Sequence, residues 1–382
     1  METFMRPASM PDRPASVSGV ISASVLLRQT EAFSRGKIDV VLGLSGGVDS
    51  GVAAALLQQD GLSVCGALLR VPGAPSARED AMDVAQALDL PLVELDVKEA
   101  FARTVLRNFA QEYESGRTPN PCIVCNKNVK FSALCELADK LGAPHVATGH
   151  YAKVRNEAAR AALLRHGSAK DQSYMLYRLE QATLRRLLLP LSQLDKPAVR
   201  ALAGQWKLPV AQKRDSQDIC FVPDGDHTAA LAELGVTPKP GRFVDESRRV
   251  LGRHAGVGRY TVGQRKGLGV AADRRLFVTE IDPRTGDVTL AGKEALLRRR
   301  LAVSDVVWTS IPAPGAPLRA TVKLRLGAAE YPALVSPLDI AAKTVCLTFD
   351  QPVSMGAPGQ SAVFYDGELV LGGGILEQAP RQ

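Results

Sequence analysis

The chain of 382 residues has no apolar stretch that approaches the ~20 residues of a membrane-spanning helix. Its N-terminus lacks the basic start, apolar core and small-residue cleavage site of a secretory signal. Cysteine is also sparse, since six residues in a chain of this length are too few for a disulfide scaffold. We therefore expect a cytoplasmic protein without membrane contact, whose reduced thiols serve individual purposes.

The charge balance is modestly basic. Lys and Arg total 47 against 40 Asp and Glu, which gives a net charge of +7 and a pI of about 9.1. This excess favours a polyanionic partner only weakly, because basic surfaces without such a partner are common. The chain is too long for one compact core, so several domains are expected.

Composition and patterning divide the chain into four parts. Residues 1–36 are rich in Pro, Ser, Ala and Met and predict a disordered leader. In residues 37–212 strand and helix patterns alternate, which predicts a doubly wound parallel α/β sheet with ligands at the carboxyl ends of its strands. Turn signals in 213–274 indicate a small central domain. Short alternating runs in 275–382 are typical of a small antiparallel β-barrel or sandwich.

The most informative segment is Gly43–Ser50, a glycine-containing loop between an apolar β-branched run and an Ala/Leu-rich helix. Unpaired N–H groups and the helix dipole make such a junction an anion site. The segment is neither a Walker A loop nor Gly-x-Gly-x-x-Gly. Gly46 and Gly47 let a phosphate approach the backbone, Ser45 and Ser50 offer hydroxyls, and Asp49 can cap the helix or hold Mg²⁺.

A second candidate site is the Pro-braced loop 117–126, which contains Cys122 and Cys125 and leads into a helix predicted at 127–141. A thiol just before a helix start, beside basic side chains, has a lowered pKa and becomes nucleophilic near neutral pH. Cys-x-x-Cys is also typical of half a zinc site or of a redox pair, so the spacing alone leaves these alternatives open.

The neighbouring residues predict whether each remaining cysteine is buried. Cys220 follows a run of charged residues and, taken alone, resembles an ordinary buried thiol. Cys65, Cys135 and Cys346 lie in apolar patterns and are predicted to belong to the core. His150 follows Gly149 at the carboxyl end of a predicted strand, where a ligand contact is expected.

Several motifs occur in one order along the chain. The segment 45–50, Ser-Gly-Gly-Val-Asp-Ser, resembles the pyrophosphate loop of ATP pyrophosphatases. Together with it, the motifs at 116–126, 147–151, 170–174, 215–220, 263–269 and 358–365 resemble those of the tRNA-specific 2-thiouridylases. The similarity extends from about Asp39 to Glu377 and leaves out only the first 36 or so residues.

The resemblance implies an enzyme, a tRNA-uridine 2-sulfurtransferase. Such an enzyme adenylates the C2 oxygen of uridine 34 at the wobble position, replaces it with sulfur from a cysteine persulfide, and releases AMP and pyrophosphate. It implies ATP and Mg²⁺ as cofactors and the anticodon arm of tRNA as a partner, with residues 213–274 as a small central domain that contacts the tRNA. A relay protein or cysteine desulfurase would donate the sulfur, and the enzyme would be a monomer.

The resemblance also implies roles for individual residues. Cys125 would be the nucleophile and Cys220 the persulfide carrier. ATP would contact Gly43, Leu44, Ser45, Gly46, Gly47, Val48, Asp49, Ser50, Leu69 and Gly149. The target base and tRNA would contact Asn120, Pro121, Cys122, His150, Lys170, Asp171, Gln172, Arg325, Leu326 and Gln360.

One position departs from the family pattern and leaves an alternative open. Many members carry Asp where this chain has Cys122, and there the carboxylate is the general acid/base, so Cys122 is either an acid/base or a cluster ligand. A [4Fe–4S] cluster held by Cys122, Cys125 and Cys220 would yield the same product. Lesser alternatives are another ATP pyrophosphatase, such as an argininosuccinate synthase or GMP synthase-like enzyme, and a non-catalytic RNA-binding module.

Overall fold

The computed structural model describes residues 20–30, 33, 37–72, 77–214, 219–222, 225–339, 341 and 343–378. The chain forms two compact units, one made of Met1–Thr104 and Ile123–Phe221 and the other of Val105–Cys122 and Val222–Gln382. Within the described residues, no helix has both the length and the apolar character required to span a bilayer.

The first unit is built on a six-stranded sheet of order β1-β4-β3-β2-β5-β8. The five strands other than β1 run parallel, which confirms the predicted parallel α/β sheet. Outside this six-stranded sheet, β6 and β7 pair with each other as an antiparallel hairpin. The strands are β1 (Ala23–Arg28), β2 (Val40–Gly43), β3 (Val64–Arg70), β4 (Leu92–Asp96), β5 (His145–Ala147), β6 (Lys153–Asn156), β7 (Ala161–Leu164) and β8 (Leu187–Leu188).

Helices connect these strands and cover the sheet. The helix that follows β2 is rich in Ala and Leu, which are strong helix formers, and most of its residues are buried. Val40, Leu42 and Val52 are fully buried in the core that this helix shares with the sheet. The helices are α1 (Val48–Gln59), α2 (Ala77–Ala87), α3 (Lys98–Phe101), α5 (Pro121–Cys125), α6 (Phe131–Leu141), α7 (Ser173–Leu176), α8 (Gln181–Leu184) and α9 (Lys196–Gln205).

Two predicted helices are interrupted. The helix predicted over 98–114 consists of α3, a π-helical segment Ala102–Leu106 and α4 (Arg107–Glu114). The helix predicted to begin at Lys127 begins earlier, as α5, and passes through a π-helical segment, Asn126–Lys130, before α6. Single π-helical turns are often found at functional sites.

The disordered leader predicted for residues 1–36 is wrong for β1, which pairs antiparallel with β4. Long-range contacts hold this segment. Glu136 accepts the N–H groups of Val20 and Ile21, and Arg28 pairs with Asp89 at 2.5 Å. Local composition carries no sign of partners this distant in sequence. Residues 1–19, 31, 32 and 34–36 lie outside the described residues.

The second unit contains a four-stranded sheet of order β10-β9-β12-β11, with β12 parallel to β9 and the other pairs antiparallel. The domain boundary suggested at 274/275 is wrong, because it divides this sheet. The runs near 276–281 and 287–290 are strands, as predicted, but they pair here and not in the barrel. The elements are α10 (His227–Glu233), β9 (Gly241–Val244), β10 (Val250–His254), a 3₁₀ turn (Val257–Arg259), β11 (Phe277–Asp282) and β12 (Asp287–Ala291).

The C-terminal part of the second unit is a six-stranded antiparallel barrel of order β13-β16-β15-β14-β17-β18. Pairing of β13 with β18 closes it, so no strand edge is left over among these six. Buried and partly exposed side chains alternate along the strands, as in Thr344–Phe349, which confirms the predicted barrel. After a 3₁₀ turn (Lys293–Leu296), the strands are β13 (Leu297–Trp308), β14 (Leu318–Lys323), β15 (Glu330–Asp339), β16 (Thr344–Ser354), β17 (Ser361–Asp366) and β18 (Leu369–Leu376).

Candidate active site

The loop between β2 and α1 is tightly ordered by its own hydroxyl groups. The Ser45 N–H donates to Ser50 Oγ at 3.3 Å, and Ser50 Oγ donates to the Gly47 carbonyl at 3.0 Å. Gly46 has φ +70°, and a Cβ there would stand 2.6 Å from Asp80 Cβ. The N-cap of α1 is Gly47, which has no side chain to satisfy the N–H groups of the first turn. These groups and the helix dipole therefore favour an anion at this end.

Asp49, in the first turn of α1, is held by two donors. The Tyr151 hydroxyl and the Lys196 ammonium each reach Asp49 Oδ1 at 2.7 Å. Lys196 opens α9, whose N-cap Asp195 accepts the Ala198 N–H at 2.9 Å. The Lys196 side chain is only 12% exposed and that of Asp49 is 34% exposed. A largely covered ammonium is thus fixed beside the N-terminal end of α1.

A second lysine reaches the same loop. Lys213 donates to the Gly46 carbonyl at 3.1 Å and pairs with the carboxylate of Asp80. Sequence reasoning missed Lys196, Lys213 and Asp80 as site residues. The Asp-Lys-Pro start at 195–197 indicates a helix N-terminus, but nothing local to these residues shows which loop they face.

Gly149 lies directly against the first turn of α1. A Cβ at this position would stand 2.8 Å from the Asp49 carbonyl carbon and 3.0 Å from the Ser50 nitrogen. Because β2 and β5 are adjacent parallel strands, their carboxyl ends meet at one edge of the sheet. Leu69 is half-buried near the end of β3, the other neighbour of β2. The structure thus brings Leu69 and Gly149 to strands that flank the glycine loop.

His150 is a neutral base at this edge. Its Nδ1 lies 2.7 Å from Thr148 Oγ1, and its ring stacks on Phe131 with centroids 5.9 Å apart. Burial, assisted by the positive charge of Lys130, lowers the pKa of His150 well below the ordinary value. The imidazole is therefore uncharged at neutral pH and suited to hydrogen bonding rather than to ion pairing.

Residues 170–172 support the segment around Tyr151. Gln172 Oε1 accepts the Tyr151 N–H at 2.9 Å, and the Gln172 N–H donates to the Tyr151 carbonyl at 2.7 Å. Asp171 accepts the N–H groups of His166 and Ser173 at 3.0 and 3.1 Å. Lys170 is exposed. Asp171 and Gln172 thus make contacts within the protein, and the Lys170 side chain is turned to solvent.

The first cysteine pair lies on a helix and not on the loop expected from the sequence. Proline fits the first position of α5, because its fixed φ suits a helix and its missing N–H is not needed there. Cys122 is exposed in the first turn, and Cys125 is half-buried at the end of α5, just before the π-helical segment. Asn126 is buried and donates to the Met175 carbonyl at 3.0 Å, which fixes that segment.

The other four cysteines divide into exposed and covered thiols. Cys220 is exposed, and residues 215–218 before it lie outside the described residues. Cys65 is buried as predicted, and burial raises the pKa of its thiol to about 12. Burial also raises the pKa of Cys135. Cys135 and Cys346 are half-buried, which is less than the core placement expected of them.

In the second unit, Gln360 holds the segment that leads to Asn120. Its side-chain nitrogen donates to the carbonyls of Thr118 and Pro119 at 3.0 and 3.1 Å. Arg117 is paired at 2.8 Å with both Glu112 and Glu377. Among the described residues, Asn120 Nδ2 is buried without a hydrogen-bond acceptor. A buried donor without a partner is costly and is satisfied when a ligand supplies an acceptor.

Two further candidates follow β14. Arg325 and Leu326 are both exposed, and Leu326 is 46% exposed, which is unusual for a large apolar side chain.

As for metals, no group of three or more His, Cys, Asp or Glu side chains in the described ranges is positioned to hold an ion.

Comparison with protein families divides the chain into three matched segments. Residues 38–224 match the tRNA methyl transferase HUP domain, 232–292 the tRNA methyl transferase PRC-barrel domain, and 298–376 the aminomethyltransferase beta-barrel domain. The middle segment ends just after β12, in agreement with the four-stranded sheet.

Curated proteins match over nearly their whole length. The proteins named tRNA-specific 2-thiouridylase MnmA from Solibacter usitatus and Clostridium perfringens are 44% and 40% identical, over 88% and 89% of this chain and 99% of each relative. One from Caldanaerobacter subterraneus is 42% identical over 90% of this chain and 98% of its own. Among solved structures, a 4-thiouridine synthetase–RNA complex with bound ATP matches at 19% identity and a TM-score of 0.34, over 52% of this chain and 49% of that one.

Proposed function

This chain belongs to the tRNA-specific 2-thiouridylase family, and from that premise we propose how its residues carry out the ATP-dependent 2-thiolation of a tRNA uridine. The observation that carries the proposal is the loop Gly43–Ser50, which leaves the first turn of α1 open to an anion beside the ammonium of Lys196. We place the target at uridine 34 of the anticodon.

ATP serves to convert a poor leaving group into a good one. The C2 oxygen of uridine belongs to a urea-like carbonyl and is a poor leaving group. Its attack on the α-phosphorus of ATP releases pyrophosphate and joins the uridine to AMP. AMP is then the leaving group when sulfur adds to C2. The N–H groups of the loop, with Lys196 and Lys213, would hold the triphosphate, and Asp49 would bind Mg²⁺. Leu69 and Gly149 would flank the adenine.

Sulfur would travel through two cysteines. A donor transfers one sulfur to Cys220, forming the persulfide Cys220–S–SH. Cys125 thiolate then attacks the sulfur bonded to the Cys220 carbon chain, which forms a Cys125–Cys220 disulfide and releases hydrosulfide. Hydrosulfide adds to C2 of the adenylated uridine, and AMP leaves. A thiol reductant must supply two electrons to reopen the disulfide before the next turnover.

The target base must leave the anticodon stack to reach an enzyme group. We propose that Asn120, Pro121 and Cys122 contact the extruded uridine. The unpaired Asn120 Nδ2 supports this role, because a pyrimidine carbonyl would supply its missing acceptor. Cys122 occupies the sequence position at which many family members carry an Asp general acid/base, and a thiol can also transfer a proton. His150, Lys170, Asp171, Gln172, Arg325, Leu326 and Gln360 are proposed for tRNA contact or for support of the segments that make it.

The alternative route through a [4Fe–4S] cluster has no support in the described residues, because no group of three ligands is placed to hold a metal. We therefore derive no step through a cluster. Anaerobic purification followed by iron counting and visible absorbance tests this choice. Iron bound in proportion to activity would overturn the persulfide route and leave the overall reaction intact.

The function is tested by incubating unmodified tRNA with the enzyme, ATP, Mg²⁺ and a cysteine desulfurase or relay protein as persulfide source, followed by nucleoside analysis. We expect 2-thiouridine at position 34 and one pyrophosphate for each sulfur inserted. Absence of 2-thiouridine under both aerobic and anaerobic conditions would reject the assignment. Sedimentation of the enzyme alone and with tRNA tests whether it acts as a monomer.

A further inference from the structure

The second unit contains a basic cavity of about 520 Å³ in the loop that connects the 3₁₀ turn Val257–Arg259 to β11. Three arginines line it, and no acidic side chain does. The lining residues are Arg265, Gly267, Leu268, Gly269, Val270, Ala272, Arg274, Arg275 and Leu276.

Backbone hydrogen bonds bring the two arms of this loop together. The Gly263 N–H donates to the Val278 carbonyl at 2.8 Å, and the Val278 N–H donates to the Gln264 carbonyl at 2.9 Å. Arg265 therefore starts one arm, while Arg274 and Arg275 lie on the returning arm. The closed base of the loop places cations nine and ten positions apart in sequence around one cavity.

The cavity has a fixed wall. Leu268 is 9% exposed and belongs to the core of the second unit, and Val270 and Leu276 pack against that core. The Gln264 side chain accepts the Thr261 N–H and donates to the Lys266 carbonyl, both at 3.0 Å. Gly267 and Gly269 have φ of +75° and +65°. The arginines thus extend from an anchored loop.

The three arginines differ from several arginines of β9 and of the turn that connects β9 to β10. Arg242 and Arg248 pair with Asp287, and Arg249 pairs with Asp245. Within the described residues, the exposed side chains of Arg265, Arg274 and Arg275 have neither an ion pair nor a hydrogen bond. Three arginines that line one cavity without an ion-pair partner favour a ligand of opposite charge.

We propose that this cavity, the arginine cavity, binds backbone phosphates of the tRNA substrate away from the target base. The inference rests on the proposed function, because that function supplies the RNA. Guanidinium groups bind phosphodiester oxygens in bidentate fashion, which favours a phosphate backbone as the ligand of these three arginines. The cavity positions the tRNA and takes no part in adenylation or sulfur transfer.

The test compares R274Q/R275Q with R248Q/R249Q, which removes the same charge from ion-paired positions. Binding of a fluorescent unmodified tRNA is measured by anisotropy over a range of salt concentrations. We expect R274Q/R275Q to weaken binding about tenfold and to reduce the slope of log K against log salt by about 1 to 2, since each lost phosphate contact releases one counterion fewer. R248Q/R249Q should change the slope by much less, and R274K/R275K should recover part of the affinity.

The thiolation assay separates this proposal from the proposed function. R274Q/R275Q should raise the KM for tRNA and leave kcat at saturating tRNA unchanged. Equal affinity and equal salt slope in R274Q/R275Q and R248Q/R249Q would overturn the arginine cavity while thiolation stands. A wild-type enzyme that neither binds nor thiolates tRNA would overturn both. Inorganic phosphate at constant ionic strength should not displace the tRNA; displacement would show a site for free phosphate instead.

Discussion

The ammonium of Lys196 donates to the carboxylate of Asp49 at 2.7 Å, although the two residues are 147 positions apart. The contact places a cation at the start of α1, where the helix dipole already favours an anion. Tyr151 donates to the same oxygen, so the carboxylate is oriented from two sides. Under the proposed function, a metal ion held by Asp49 would free the Lys196 ammonium for a phosphate of ATP.

Replacement of Lys196 tests this arrangement. We expect K196M to lower kcat/KM for ATP by about 10²-fold, because the departing pyrophosphate loses one fixed cation. Pyrophosphate release with saturating tRNA provides the measurement. K196R keeps the charge and should retain much of the activity, while tRNA affinity should be the same in both variants. Wild-type pyrophosphate release from K196M would exclude Lys196 from the site.

Gly149 provides a steric test of the same region. A methyl group in G149A would meet the backbone of Asp49 and Ser50 at 2.8–3.0 Å, and backbone cannot rotate away as a side chain can. We expect a loss of about 1–3 kcal/mol in the free energy of unfolding and weaker ATP binding. Gly204 in α9 is the control, because a Cβ there meets nothing within 4 Å. G204A should be neutral or slightly stabilising. Thermal unfolding with and without ATP distinguishes the two variants.

Site residues could be predicted from the sequence where they are neighbours along the chain, and could not where they meet through contacts between distant residues. A glycine loop between a strand and a helix is specified by consecutive residues, so Gly43–Ser50 is recognisable without a structure. Lys196 and Lys213 act through contacts with residues more than 140 positions away, and their local sequence predicts only a helix start and a charged turn. The order of elements was predictable, but the side chains that complete the site were not.

The same distinction applies to the fold. Alternating patterns located β11 and β12 correctly, but their sheet continues through β9, the partner of β12, and β10, both of which lie before residue 255. The patterns alone therefore assigned β11 and β12 to the wrong sheet. β1 was missed because Arg28 and the backbone of Val20 and Ile21 are held by Asp89 and Glu136. The helical start at Pro121 was missed because Pro119 and Pro121 together indicated a loop.

The lowered pKa of His150 predicts a loss of stability in acid. The folded protein keeps His150 neutral, whereas the unfolded chain binds a proton below about pH 6.5. Below that pH the unfolded state carries more protons, so the free energy of unfolding falls as pH falls, by at most about 1.4 kcal/mol per pH unit from this residue. H150N should flatten the dependence below about pH 6.5. His227 and His254 also have lowered pKa values and should keep some acid sensitivity in the variant.

The comparison to make is the change in unfolding midpoint between neutral and mildly acidic buffer for wild type and H150N. A smaller change in the variant supports a buried neutral imidazole. An identical change in both proteins would mean that His150 is protonated to the same extent in the folded and unfolded states.

Gln360 is expected to act on tRNA through the protein. In Q360A, the carbonyls of Thr118 and Pro119 lose their donor, and the adjoining Asn120 becomes less well placed. We expect a higher KM for tRNA, with ATP binding unchanged. Q360E should be worse than Q360A, because a carboxylate would face two carbonyl oxygens. If Q360E instead matches the wild type, the amide nitrogen has no part in holding this segment.

Replacement of each cysteine proposed for sulfur transfer, Cys125 and Cys220, should stop the reaction at a different step. C220S cannot accept sulfur, whereas C125S should accept it and then stop, because no thiolate attacks the persulfide. Mass spectrometry after incubation with the persulfide source should therefore find one extra sulfur on Cys220 in C125S and none on that peptide in C220S. Both variants should still release pyrophosphate from ATP in the presence of tRNA, since adenylation precedes sulfur transfer.

C346S is the matched control, a half-buried thiol on a barrel strand, and it should thiolate tRNA normally. Cys65 should resist alkylation at neutral pH because burial raises its pKa to about 12, while the exposed Cys220 should react.

Without added reductant, wild-type enzyme should insert no more than one sulfur per molecule, because the proposed Cys125–Cys220 disulfide would stop the cycle. Repeated turnover without a reductant would contradict that disulfide and with it the attack of Cys125 on the persulfide.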